Sequence, residues 1–185
     1  VDGSQYAALF AQALEVSLDN EFLPFLYPNQ YVNFSPDSQA SKLALSMLPE
    51  DATDQEGIDA VYNYVIQNIS YDEDKAASVE TGYLPDVDET LSIKKGICFD
   101  YAALMTAMLR SRDIPCKLQI GYAGDIKHAW IDVYIRGKGW VDHAITYDGE
   151  QWNRMDPTFA ANSEDEELIN TYIGDSENYT LQFTR

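Results

Sequence analysis

Cysteine and histidine are scarce in this chain, basic residues are outnumbered, and no long apolar run occurs. Two cysteines among 185 residues, Cys98 and Cys116, do not make a disulfide framework. One bridge between them is possible on paper, and it would consume both thiols. Histidine occurs twice, as His128 and His143, so any imidazole chemistry has two candidates. Twelve Lys and Arg stand against 31 Asp and Glu, a formal charge of −19. That balance excludes nucleic acid and anionic membrane surfaces as partners. Without a run of about 18 apolar residues, no helix spans a bilayer. Asp86 and Asp88 hint at calcium, but the twelfth position of a loop begun at Asp86 is Ile97 rather than glutamate. No metal or cofactor is expected, and no internal repeat or linker is visible.

What remains is enough for a core: 45% of the residues are hydrophobic, which argues against disorder and for one domain. The chain begins at Val1, not methionine. With its acidity, that suits a secreted or cell-surface protein whose signal or anchor has been removed.

The first half reads as helices. Tyr6, Leu9, Phe10, Ala13 and Leu14 predict an amphipathic helix over 4–16. Residues 20–34 carry neither period. Ser35-Pro36 opens a second helix whose stripe is Ala40, Leu43, Ala44, Met47 and Leu48, closed by Pro49. Thr53-x-x-Glu56 is a capping box ahead of a helix over 54–69. Residues 72–92 are acidic and aperiodic, a loop suited to a lid or cleft wall. After residue 115 the period falls from 3.6 to 2. Leu118, Ile120 and Tyr122 alternate, then Ala129, Ile131, Val133 and Ile135 against His128, Trp130, Asp132 and Tyr134. Arg136 to Gly139 joins two strands as a hairpin, and Trp152 to Asp156 follows a second turn. Ser163-x-x-Glu166 is a further capping box, and Tyr179 to Phe183 suits an edge strand. Helices first and an antiparallel meander afterwards make an α+β protein.

The candidate chemistry centres on Lys95 to Leu104. Tyr101, Leu104, Met105 and Met108 recur at i, i+3, i+4 and i+7, one face of a helix running to about Arg112. Cys98 falls in its first turn, where unpaired N–H groups and the helix dipole favour thiolate. An isolated cysteine is otherwise a small core residue, so a nucleophile needs a base and an orienting carboxylate. His128 comes 30 residues after Cys98, and Asp156 comes 28 residues after His128. His143 is the rival base, and Asp142 and Asp132 are rival orienters.

Gly96-x-Cys98-x-Asp100-Tyr101-Ala102 is followed by Arg112-x-Ile114-Pro115, Gly121-Tyr122, His128-Ala129-Trp130-x-x-Val133-Tyr134, Gly139-Trp140 and Asp156-Pro157-Thr158. In order and content this series resembles the transglutaminase-like superfamily over roughly residues 54–160. The resemblance implies a papain-like core, with a cysteine-bearing helix packed on an antiparallel sheet. It assigns Cys98 as nucleophile, His128 as general base and acid, and Asp156 as orienter. The single domain over 1–185 then comprises this core over about 54–160, an N-terminal helical extension over 1–53, and a C-terminal helix and edge strand over 161–185. The implied activity is acyl transfer through a thioester on a protein or peptide substrate. Amide hydrolysis by a cysteine protease or amidase comes first, with a cross-linking transglutaminase or a non-catalytic surface domain as alternatives. One departure stands out. Residues 141–155 separate Gly139-Trp140 from Asp156, where many relatives have almost nothing. They read as an extra hairpin turn around Asp148-Gly149, with Asp142 the substitute if that reading fails.

Overall fold

A computed structural model of the chain describes residues 17–123, 125–147, 152–154 and 179–185. The predicted helix over 4–16, the turn at Asp148-Gly149, Asp156 and the helix after Ser163 lie outside those residues.

Helix α1 spans Gln39–Met47 and α2 spans Asp54–Asn68. The capping box of α2 forms as the sequence predicts. Thr53 Oγ1 accepts from the Glu56 N–H at 3.3 Å, and the Glu56 carboxylate accepts from the Thr53 N–H at 2.8 Å. Helix α1 starts later than Ser35-Pro36 predicts, because residues 35–38 form a separate turn. Its first N–H groups, on Gln39 and Ala40, donate to the Asp88 carboxylate at 3.0 and 2.9 Å. The cap is supplied from 48 residues away, where no local pattern reveals it. Residues 20–34 contain a 3-10 turn at Leu23–Phe25 and an isolated bridge between Asn29 and Val32.

The stretch 72–92, expected as loop, holds two short helices, α3 (Glu73–Ser78) and α4 (Val87–Ile93). Each opens on an aspartate. Asp72 accepts from the Lys75 N–H, and Asp86 accepts from the N–H groups of Asp88 and Glu89. Six and seven residues are too few for a 3.6 period to show. Two-residue strands β1 (Ser70–Tyr71) and β2 (Lys95–Gly96) pair in parallel and tie the end of α2 to the start of the cysteine motif.

Helix α5, Cys98–Arg110, is the centre of the molecule. Every residue from Asp100 to Arg110 is buried. The sequence shows one large apolar face, and the rest of the circumference is filled by Ala102, Ala103, Thr106 and Ala107. Such small side chains let α1, α2 and α4 pack on one flank and the sheet on the other. At its end the buried Arg110 guanidinium donates to the carbonyls of Cys116, Tyr27 and Arg185, which engages four of its five N–H groups.

The sheet comprises β3 (Cys116–Ala123), β4 (Ile126–Ile135), β5 (Gly139–Tyr147), β6 (Trp152–Arg154) and β7 (Tyr179–Thr184). All neighbours are antiparallel, in the order β6-β5-β4-β3-β7. Ala129, Ile131, Val133 and Ile135 of β4 join the hydrophobic core. Gly121 lets β7 approach β3: a Cβ there would lie 2.1 Å from the Thr180 carbonyl oxygen. In β5, residues 142–144 face the single residue Asp132, a bulge between the Ile131–Ile145 and Val133–Val141 pairs.

Candidate active site

Cys98 is the first residue of α5, and the segment before it is held from three sides. The Asp72 N–H donates to the Gly96 carbonyl at 2.9 Å, and the Ser70 N–H donates to the Lys94 carbonyl at 2.9 Å. Lys94 ends α4 at a φ of 56°, which turns the chain toward β2. The Asp100 carboxylate accepts from the Ile97 N–H at 2.8 Å and fixes the first turn. A Cβ on Gly96 would lie 2.7 Å from the Asp100 Cβ, so glycine is required for that close approach. The glycine two residues before the cysteine thus serves the geometry of the helix start.

The thiol itself departs from the expectation of a favoured thiolate. Burial pushes Cys98 above the ordinary thiol value, and the backbone N–H groups of Ala129 and Phe99 offset this only in part. The first turn of α5 lies inside the molecule, where desolvation outweighs the local N–H groups. Cys116 is buried and lies beside Thr106 Oγ1 at 3.5 Å, with burial pushing its thiol up to about 12. Both cysteines are free, so the paper disulfide does not form.

A pocket of about 740 Å³ opens beside Cys98. Its floor comes from Ile97, Cys98 and Phe99 at the start of α5, and from Ile120, His128 and Ala129 of β3 and β4. Residues 79–84 form one wall, while Tyr31 and Phe183 contribute to the rest. Cys98 and His128 are therefore brought to one pocket. The Ala129 N–H, next in the chain to His128, reaches the Cys98 sulfur. His128 is 7% exposed. Its ring stacks on Trp130 at 6.5 Å between centroids and meets Tyr179 at 6.0 Å.

The carboxylates divide differently. Asp132 lies four residues along β4 from His128, roughly 13 Å at strand rise, and accepts from the Gln119 amide. Asp142 is exposed, and the register sets it in the bulge opposite Asp132. Asp156 and the His143 side chain lie outside the described residues. Arg154, the last described residue of β6, is level with Ile131 through its pairing with Ile145. Among the described residues no group of three or more His, Cys, Asp or Glu side chains is arranged to hold a metal ion. Nor is any helix among them long and apolar enough to cross a membrane.

The sequence model of the transglutaminase-like superfamily matches residues 41–157, from α1 through β6 and the Asp-Pro motif. The chain belongs to the transglutaminase-like superfamily. That superfamily is one of cysteine-based acyl-transfer enzymes. The UPF0252 protein MJ1282 of Methanocaldococcus jannaschii is 37% identical over 62 residues, covering 31% of this chain and 18% of that protein. A Cytophaga hutchinsonii structure, provisionally described as a cysteine protease, shares 20% identity at a TM-score of 0.51. The likeness covers 91% of this chain and 54% of that one. The periplasmic domain of TgpA from Pseudomonas aeruginosa shares 18% identity at a TM-score of 0.48, over 81% and 51% of the two chains. This chain thus spans about half of those structures and less of the archaeal protein, and the Cytophaga likeness carries the fold alone.

Within this transglutaminase-like chain, the motif does not announce how its pocket wall is fixed. Lys75 of α3 reaches down to the fully buried Asp100, Nζ to Oδ2 at 2.7 Å, and donates to the Tyr83 hydroxyl at 2.6 Å. The Tyr83 hydroxyl in turn donates to Asp100 Oδ1. Burial works against the Lys75 ammonium, but its bonds to Asp100 and Tyr83 prevail and raise it above the ordinary lysine value. Burial, then the Asp100 carboxylate, pushes the Tyr83 phenol up to about 12. One signal was present: Lys75 is the only basic residue between 72 and 93, in an otherwise acidic stretch. Phe183 and Tyr31 carried no such mark, since each comes from a segment remote in the chain.

Proposed function

We propose that this protein hydrolyses amide bonds in peptides or proteins through a cysteine thioester, with Cys98 as nucleophile, His128 as base and acid, and Asp156 as orienter. One observation carries the reading: Cys98 and His128, the two residues with nucleophile and base chemistry in the motif, line the same pocket. For Asp156 the support is the Asp-Pro-Thr motif of the superfamily.

In this reading His128 takes the Cys98 proton, and the sulfur attacks the substrate carbonyl carbon. A C–S bond forms and the carbonyl electron pair moves to oxygen. The Cys98 N–H, which has no acceptor within its own helix, is one donor to that oxyanion. Collapse breaks the C–N bond, and His128 passes its proton to the departing amine. Water then attacks the thioester, giving its proton to His128, and the C–S bond breaks to release acid and free cysteine. Resemblance to stand-alone members of the superfamily favours hydrolysis over transfer to an amine.

The test is peptide hydrolysis by wild type, Cys98→Ala, Asp156→Asn and Asp142→Asn. Loss in the first two variants alone is expected. Full activity in Cys98→Ala overturns the reading, and loss in Asp142→Asn alone moves the orienting role there. Incorporation of a labelled amine into a glutamine-bearing protein, with no hydrolysis, makes it a transglutaminase. Neither activity leaves a binding domain. The reading extends to a secreted or cell-surface location, resting on acidity and family resemblance, which fractionation of the native cells tests.

A further inference from the structure

Apolar side chains from three segments line the Cys98 pocket: Val79 and Leu84 on one wall, Phe183 of β7, and Phe99 at the floor. Val79, Leu84 and Phe183 are 39%, 44% and 50% exposed, three of the eight exposed large apolar side chains among the described residues. Exposed apolar surface gathered at one cleft, rather than scattered singly, marks a place where apolar ligand surface is buried. The charge pattern agrees. In a chain of net charge −19, the acidic and basic residues lining this pocket among the described residues are Glu80 and Lys127, whose signs cancel. Its wall is also rigid, because Tyr83 is anchored to Asp100 and meets Phe99 edge-on at 6.3 Å. A pocket of about 740 Å³ accommodates more than one side chain.

We propose that this pocket selects acyl donors with a leucine- or phenylalanine-like side chain on the acyl side of the scissile bond, and disfavours glutamine and charged residues there. The inference rests on Cys98 being the nucleophile, and the experiment separates the two. Burying one such side chain contributes about 1.5–3 kcal/mol, which corresponds to roughly 10- to 100-fold in rate.

Dipeptidyl vinyl sulfones bearing Phe, Leu, Gln, Glu or Lys at each of the two acyl-side positions are reacted with the wild-type chain. Labelling of Cys98 is followed by intact mass, with iodoacetamide as a reagent that has no side chain to recognise. Phe and Leu are expected to label at least about tenfold faster than Gln, Glu and Lys at one position. In Leu84→Glu that preference, taken relative to the iodoacetamide rate of the same variant, is expected to fall below about threefold. Val79→Lys gives the same readout from the same wall should Leu84→Glu not fold. Rates within twofold across the series, or fastest labelling by Gln, Glu or Lys, overturn the selectivity and leave the nucleophile intact. A Cys98 inert to iodoacetamide and to every sulfone overturns both.

Discussion

A sulfur in the first turn of a buried helix stands between two opposing influences. The backbone N–H groups of Phe99 and Ala129 favour its anion, and the surrounding protein disfavours any charge at all. Burial prevails, so Cys98 alone is a thiol at neutral pH. A thiolate then requires a neighbouring imidazolium to share the charge. The pH profile of iodoacetamide alkylation tests this directly. In His128→Ala, Cys98 reactivity is expected to rise only above pH 9, the ordinary value that burial has pushed upward. Wild type is expected to react appreciably near pH 7. Superimposable profiles would remove His128 from the chemistry. Gly96 makes a second argument at this scale. Ala at that position would set its methyl 2.7 Å from the Asp100 Cβ, and overpacking of this kind costs about 1–3 kcal/mol. Gly96→Ala is expected to lower the unfolding free energy measured in urea by that amount and to slow Cys98 alkylation, since the helix start must move. An unchanged alkylation rate would show that the first turn tolerates the shift.

Between elements, the pocket wall and the cysteine helix are joined through charge. α3 and residues 79–84 bury little of their own surface, and their hold on the molecule runs through Lys75 and Tyr83 to Asp100. Removing one partner leaves a buried charge uncompensated. A double-mutant cycle of Lys75→Met and Asp100→Asn is expected to show a coupling of about 1–2 kcal/mol in urea unfolding. Additive effects would mean the contact carries no energy. The same pair predicts an alkaline limit. Lys75 and Tyr83 both have folded values raised above their unfolded ones. Their contribution is complete below pH 10; that of Tyr83 is lost as pH rises toward about 12, and that of Lys75 as pH rises past the ordinary lysine value. Absorbance at 295 nm is expected to show one tyrosine ionising late, with loss of structure accompanying it. A Tyr83→Phe chain lacks that late step. These elements also show what a sequence discloses. α2 and α5 were legible because each repeats an apolar stripe over several turns, β3 and β4 because alternation ran long enough to count, and β5 because the Arg136 to Gly139 turn leads into it. α3 and α4 were hidden by their brevity. The cap on α1 was hidden because Asp88 supplies it through space, and the same long reach concealed Tyr31 and Phe183 as pocket residues. At the site, Cys98 and His128 were legible from motif and scarcity. The energetic sign at Cys98 was not, because it depends on burial that no local pattern records.

For the molecule as a whole, net charge and pocket chemistry act over different distances. A charge of −19 on 185 residues repels acidic ligands at long range and draws basic ones. The pocket is nearly neutral and acts only in contact. Salt separates the two, because screening shortens to about 8 Å at physiological ionic strength and to about 3 Å at 1 M. Two vinyl sulfones that share a phenylalanine and differ in a distal tail, Lys-Lys or Glu-Glu, isolate the long-range part. The lysine-tailed reagent is expected to label Cys98 at least about tenfold faster in 10 mM salt, and the ratio is expected to collapse toward unity at 1 M. The preference for phenylalanine over glutamine, measured with neutral tails, is expected to persist across that range, since apolar burial is not screened. A tail effect that survives 1 M salt would require a specific charged contact near the pocket, for which Glu80 is the nearest candidate. A phenylalanine preference that vanished with salt would trace the selectivity to charge, and the apolar lining would then be packing alone.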